Sequence, residues 1–163
     1  MTDLRDCTVS QLLRLHAGIA DELRRRELLR SGNGPAGDYA EALFARAFGW
    51  NLSANSTTGY DAVDSQGIRY QIKCRRVTVR NPSRQLSALR RLDQRPFDQL
   101  AGLILDERFD VHRAAIIPLE TIIAGSTFTP HVNAWRFILR DAARNLPGTR
   151  DVTGEMKAAP AAL

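Results

Sequence analysis

The stretch from Ile68 to Val77 constrains this chain more than any other. Ile68, Tyr70, Ile72 and Cys74 alternate strictly with Arg69, Gln71, Lys73 and Arg75, and a period of two is the signature of a strand with one buried face. The turn-forming run Asp64-Ser65-Gln66-Gly67 precedes it, and Tyr60-Asp61-Ala62-Val63 precedes that, so the pattern predicts a β-hairpin. With Ser65-Gln66-Gly67 as a three-residue loop, Gly67 supplies the left-handed position. Asp61 then lies opposite Gln71, while Tyr60 and Ala62 join Tyr70 and Ile72 on the apolar face. A slip of one residue would turn Asp61 into that face. The register that keeps the core apolar therefore gathers Asp61, Gln71 and Lys73 on the other one.

Around the hairpin the spacing predicts a mixed α/β chain. A helix runs from Thr8, a plausible N-cap, to Leu29, with Leu12, Leu15, Ile19 and Leu23 at helical intervals; Arg24, Arg25 and Arg26 read as its solvated end. Ser31-Gly32-Asn33-Gly34-Pro35 breaks it. A second helix covers 36–48, with Ala40, Leu43, Phe44 and Ala47 as its buried stripe, Glu41 on the flank and Gly49 as the stop. Strands are expected at 50–53, up to Leu105, at 111–117 and at 134–139, and helices at 83–92 and 119–124. The 163 residues fit one domain. An N-terminal helix and linker (1–35) is expected to pack on a core (36–145), and the Pro-, Gly- and Ala-containing stretch 146–163 reads as a loose tail.

The charge is concentrated. Between Arg69 and Arg95 stand nine cations and one acid, Asp93, so this segment carries +8 and the rest of the chain −3. Such a patch is the electrostatic footprint of a polyanion, usually nucleic acid. The cations comprise 21 Arg and only two Lys, Lys73 and Lys157. A Lys kept on the polar face of a strand in an Arg-rich chain suggests chemistry that Arg cannot do, because a Lys can shift its pKa and move a proton.

Several classes are excluded. With 44% hydrophobic and 25% charged residues the chain is neither disordered nor collagen-like. It has no run of ~18 apolar residues for a membrane span and no apolar core of a signal peptide, so no membrane partner is expected and a cytoplasmic location is. Cys7 and Cys74 have no CxxC spacing, and His16, His112 and His131 are scattered, which argues against a disulfide scaffold or a zinc site. No GK[ST] follows Ser31-Gly32-Asn33-Gly34, so no nucleotide cofactor is expected. Trp50 and Trp135 read as core aromatics.

A helix carrying Glu41, a strand carrying Asp61 and a strand carrying Gln71-Ile72-Lys73 together resemble the PD-(D/E)XK nuclease superfamily. The resemblance spans about residues 36 to 124 and implies a restriction endonuclease-like mixed sheet in α-β-β-β-α-β order, flanked by helices, with the N-terminal helix as an addition. The runs Gly37-Asp38-Tyr39-Ala40-Glu41, Asn81-Pro82-Ser83-Arg84-Gln85-Leu86 and Ala134-Trp135-Arg136-Phe137 are also similar to a family of small bacterial proteins with no established activity. The resemblance implies a Mg²⁺- or Mn²⁺-dependent nuclease hydrolysing phosphodiester bonds in DNA. Its catalytic set would be Glu41, Asp61, Gln71 and Lys73, and its metal ligands Asp61, Gln71, the Ile72 carbonyl and Glu41. Mg²⁺ takes oxygen ligands and keeps several waters, and Lys73 would orient or deprotonate the attacking water or neutralise the phosphate. Arg69, Arg75, Arg76, Arg80, Arg84, Arg90 and Arg91 would meet DNA phosphates, contacts that position without specifying sequence. The superfamily pattern has an acid where this chain has Gln71, which removes one negative charge; Glu41, or less readily Asp38 or Asp64, could supply it. The same substitution suits a non-catalytic DNA-binding protein on this scaffold. A protein-interaction module with an acidic partner is a third reading, and a homodimer follows by analogy if both strands of a duplex are cut.

Overall fold

The computed structural model describes residues 3–54 and 59–162. Its order is helix α1 (Val9–Arg25), helix α2 (Pro35–Phe48), strands β1 (Asn51–Leu52), β2 (Ala62–Val63), β3 (Arg69–Arg76), β4 (Gln99–Leu105) and β5 (Val111–Pro118), helix α3 (Leu119–Gly125), strands β6 (Thr127–Thr129), β7 (Ala134–Arg136) and β8 (Arg150–Asp151), and helix α4 (Thr153–Ala158). Six strands form one sheet in the order β1-β2-β3-β4-β5-β8, and β6 and β7 form a separate hairpin. Among the described residues only the β3–β4 pair in the large sheet is parallel, so the chain is a mixed α/β fold on a mostly antiparallel sheet flanked by helices. Among the described residues no helix is long and apolar enough to cross a membrane.

Alternation along the central strands produces two cores. Leu103 and Leu105 of β4 and Ala114 and Ile116 of β5 pack with Leu43 and Phe44 of α2 and Met156 of α4. Leu100 and Ile104 of β4 and Ala115 and Ile117 of β5 point to the opposite layer, which Leu86, Leu89, Leu92, Phe97 and Leu139 complete. This second layer packs closely on Gly102: a Cβ there would lie 3.1 Å from Leu139 Cδ2 and 3.3 Å from Leu86 Cδ1.

The hairpin has the register that the apolar face requires, with Ala62 opposite Tyr70 and Val63 opposite Arg69. Gly67 sits at φ +82°, and the Asp64 carboxylate accepts the backbone N–H groups of Gln66 and Ile68, both at 2.9 Å, and the Tyr70 hydroxyl at 2.9 Å. Asp64 is a turn-holding residue. Thr8 caps α1 in a capping box with Gln11, and Gly49, at φ +67°, ends α2.

Three expectations are corrected. The helix expected at 83–92 is absent. Leu86, Leu89 and Leu92 are buried, but the backbone of this crossover bonds to a distant segment: Leu86 N–H to the Phe137 carbonyl, and Leu89 and Trp135 to each other in both directions. α1 does not pack on the core, for it contains no buried residue, and Leu13 and Ile19 are 65% and 61% exposed. The C-terminal stretch is not loose: β8 pairs with β5, and Val152 and Met156 are buried in the first core. Met156→Ala will therefore destabilise the protein by about 2–5 kcal/mol, the range for removing a fully buried side chain of this size, read by urea denaturation.

Candidate active site

β3 loses its antiparallel neighbour early. β2 pairs with Arg69 and Tyr70 only, so beyond Tyr70 no strand among the described residues covers that edge. There the cleft opens, with a volume of about 350 Å³, between the N-terminal half of α2, β3 and the crossover; Glu41, Asp61, Ile72, Lys73 and Ser87 are among the residues lining it.

Asp61 stands just before β2, its N–H bonded to the Tyr70 carbonyl at 2.8 Å. Its Oδ2 accepts the Ile72 backbone N–H at 2.7 Å and a short hydrogen bond from Gln71 Nε2. Gln71 is therefore a donor to Asp61, with its amide nitrogen on the carboxylate, and an acid at 71 would meet Asp61 as a like charge.

Glu41 reaches the cleft from the flank of α2. Burial, and then the charge of Asp61, raise its pKa from the ordinary 4.5 to about 7, against the opposing effects of Arg30 and Lys73. The folded chain thus retains a proton that the unfolded chain releases, and this contribution to stability declines as pH rises from 4.5 to 7. Glu41→Gln will flatten that slope: melting curves at about pH 5 and about pH 8 should differ less in the variant than in the native chain.

Arg30 is a site residue that the sequence did not flag. Its guanidinium meets Glu41 at 3.1 Å and donates to the Ser53 carbonyl at 2.6 Å. Asp38, buried on the first turn of α2, fixes it: Oδ2 accepts the backbone N–H groups of Arg30 and Ser31, each at 2.8 Å, and the Ser31 hydroxyl at 3.0 Å. Asp38 is a positioning residue for the loop. No feature of the sequence distinguishes Arg30 from the other arginines except its place directly before the breaker that feeds α2.

Lys73 lines the cleft, and no carboxylate among the described residues lies within ion-pair distance of it. Cys74, on the apolar face, has its thiol pushed up to about 12 by burial, so it is not a thiolate nucleophile. No protein-family model matches the chain, and no curated protein matches it.

The basic segment divides. Arg69 pairs with Asp98 at 2.9 Å and Arg84 with Asp141 at 2.8 Å, so both have internal partners. Arg76 donates to the Glu107 carbonyl at 2.5 Å and lies over the Phe109 ring; Arg75 reaches Asn81 at 3.3 Å. Arg80, Arg90 and Arg91 are exposed, and they are the cations best able to meet a polyanion.

The donor chemistry can be tested against a divalent cation. Among the described residues no group of three or more His, Cys, Asp and Glu side chains forms a metal cluster. Two carboxylates do share the cleft, and one raises the pKa of the other, which is the electrostatic situation that a cation relieves. Mg²⁺ is commonly held by one or two carboxylates with water filling the remaining positions. Asp61 and Glu41 fit that requirement. Gln71 does not fit as a first ligand while its nitrogen faces Asp61.

Proposed function

We propose that the chain is a metal-dependent nuclease acting on DNA, built on a restriction endonuclease-like core. The observation that carries this reading is the convergence of Glu41 from α2, Asp61 from just before β2 and Lys73 from β3 on one cleft, beside the part of β3 with which β2 does not pair. Asp61 and Glu41 would hold Mg²⁺ or Mn²⁺, with Ile72 contributing its carbonyl. Such an ion supplies Lewis acidity toward a phosphate and a more acidic water. Lys73 would hold or take the proton of the attacking water, or offset charge on the phosphoryl oxygens. Arg30 would keep Glu41 oriented, and Gln71 would orient Asp61. Arg80, Arg90 and Arg91 would meet phosphates, and a homodimer would serve a cut through both strands of a duplex. Incubation of plasmid, linear duplex and single-stranded DNA with Mg²⁺, Mn²⁺ or EDTA tests the proposal; cutting that EDTA stops is the expected result.

A second reading has its own observation. Gln71 bonds directly to Asp61, and Arg30 already stands on Glu41, so protein groups satisfy both acids. This favours a DNA-binding protein without metal chemistry. Absence of cutting, with DNA affinity that falls steeply with salt, would select it.

A further inference from the structure

The β6–β7 hairpin and the crossover enclose a second cleft, of about 490 Å³, lined by Arg90, Arg91, Phe128, Asn133 and Trp135, with Asp93 and Gln94 on the same wall. This is within the size range of small-ligand pockets. Phe128 and Trp135 face each other across the hairpin, their ring centroids 5.2 Å apart and tilted by 53°. Trp135, expected in the core, is only partly buried against it, and Phe128 is 43% exposed. Two aromatic rings are thus offered to solvent beside groups that can bond base edges.

The backbone concentrates cations at the same place. Arg91 and Asn133 adopt left-handed φ angles of 56° and 46°. Asn tolerates that region, but Arg does so at a cost in strain. The turn at Arg91 lets Leu89 and Leu92 both bury while Arg90 and Arg91 remain exposed. Arg90 makes one long bond, at 3.4 Å, to the Val132 carbonyl. This cleft is also near the candidate active site. Ser87 lines that site, and Arg90 follows three residues later, so their Cα atoms lie within about 11 Å.

We propose that this cleft binds an unpaired nucleobase of a nucleic-acid strand, with the base on the Phe128 and Trp135 rings, its edge toward Asn133 and Gln94, and the flanking phosphates at Arg90 and Arg91. An aromatic platform beside cations is the recurring solution for single strands, because every base has a π-face. Within a duplex those faces are already stacked, so the strand must be single or locally opened. The inference rests on the nucleic-acid part of the functional reading and is independent of whether the chain cuts.

The test uses the full chain in EDTA with a labelled single-stranded oligonucleotide, the same sequence as a duplex, and a mononucleotide as competitor. Phe128→Ala, an exposed substitution, should weaken single-strand affinity roughly five- to one-hundred-fold and leave duplex affinity unchanged. Saturating single strand should quench tryptophan emission, and Trp135→Phe should abolish that quench, since Trp50 is buried and stacked on Tyr70. Tight single-strand binding that Phe128→Ala leaves unaltered, with no change in emission, overturns the base site while the nucleic-acid reading stands. Displacement by the mononucleotide at comparable concentration overturns it in favour of a free-nucleotide site. Failure of both single strand and duplex to bind overturns the base site and the nucleic-acid reading together.

Discussion

Asp61→Asn is expected to reduce metal-dependent DNA cleavage by about a thousandfold or more, with the fold retained in EDTA. The loss combines two effects. The main carboxylate for the cation disappears, and transition-state charge stabilisation of this kind contributes about 10²–10³ in rate. The asparagine oxygen can still accept the Ile72 N–H, which Asp61 accepts at 2.7 Å, so the hairpin edge keeps its bond. An alanine would leave that donor and Gln71 without their acceptor and confuse chemistry with folding. Lys73→Met should lose about 10²–10⁴ in rate, the usual range for a proton-transfer group. Because Lys73 opposes the upward shift of Glu41, the residual activity should also move its pH profile upward. Equal cleavage by native, Asp61→Asn and Lys73→Met proteins would place the chemistry elsewhere.

The parts of this site that could be read from the sequence are those set by local periodicity. Strict alternation from Ile68 to Cys74 allows one register, and that register places Asp61 beside Gln71 without any knowledge of tertiary structure. The α2 stripe of Ala40, Leu43 and Phe44 likewise fixes Glu41 on a flank. Where local pattern and tertiary pairing compete, pattern alone is insufficient. Leu86, Leu89 and Leu92 recur every third residue, as a helix would have them, yet the backbone between them bonds to Trp135 and Phe137, some fifty residues away. Those partners satisfy the amides in extended form, and the three leucines still bury.

The C-terminal stretch and Arg30 escaped for different reasons. Gly148 and Gly154 signal irregularity, but Val152 and Met156 fill a gap between α2 and β5 that is defined only once the sheet exists. Arg30 acts through a loop whose shape Asp38 imposes. The carboxylate of Asp38 resembles a first-turn acid favoured by the helix dipole until the chain that folds back over it is known. Arginine abundance hid the guanidinium of Arg30, which touches Glu41.

Gln71→Glu separates the two functional readings most sharply. In the absence of metal the variant should melt roughly 5–10 °C lower: a bond to a charged group contributes about 1.5–3 kcal/mol, and each kcal/mol moves the midpoint of a chain this size by about 2–4 °C. Replacing the donor amide by a carboxylate also sets two negative charges against each other where the Gln71 amide now donates to Asp61. That repulsion lies beside Glu41, so its pKa should rise further and the loss of stability should grow with pH. A divalent cation reverses every part of this. Three carboxylates around one cleft bind Mg²⁺ or Mn²⁺ more tightly than two, and ligand binding to the folded state alone raises its stability with concentration. Melting temperature should therefore climb more steeply with Mn²⁺ in Gln71→Glu than in the native chain. If the native chain cuts DNA, the variant should do so at lower metal concentration. If neither protein responds to metal, the Gln71–Asp61 bond is the finished form of the site, and the cleft serves binding without hydrolysis.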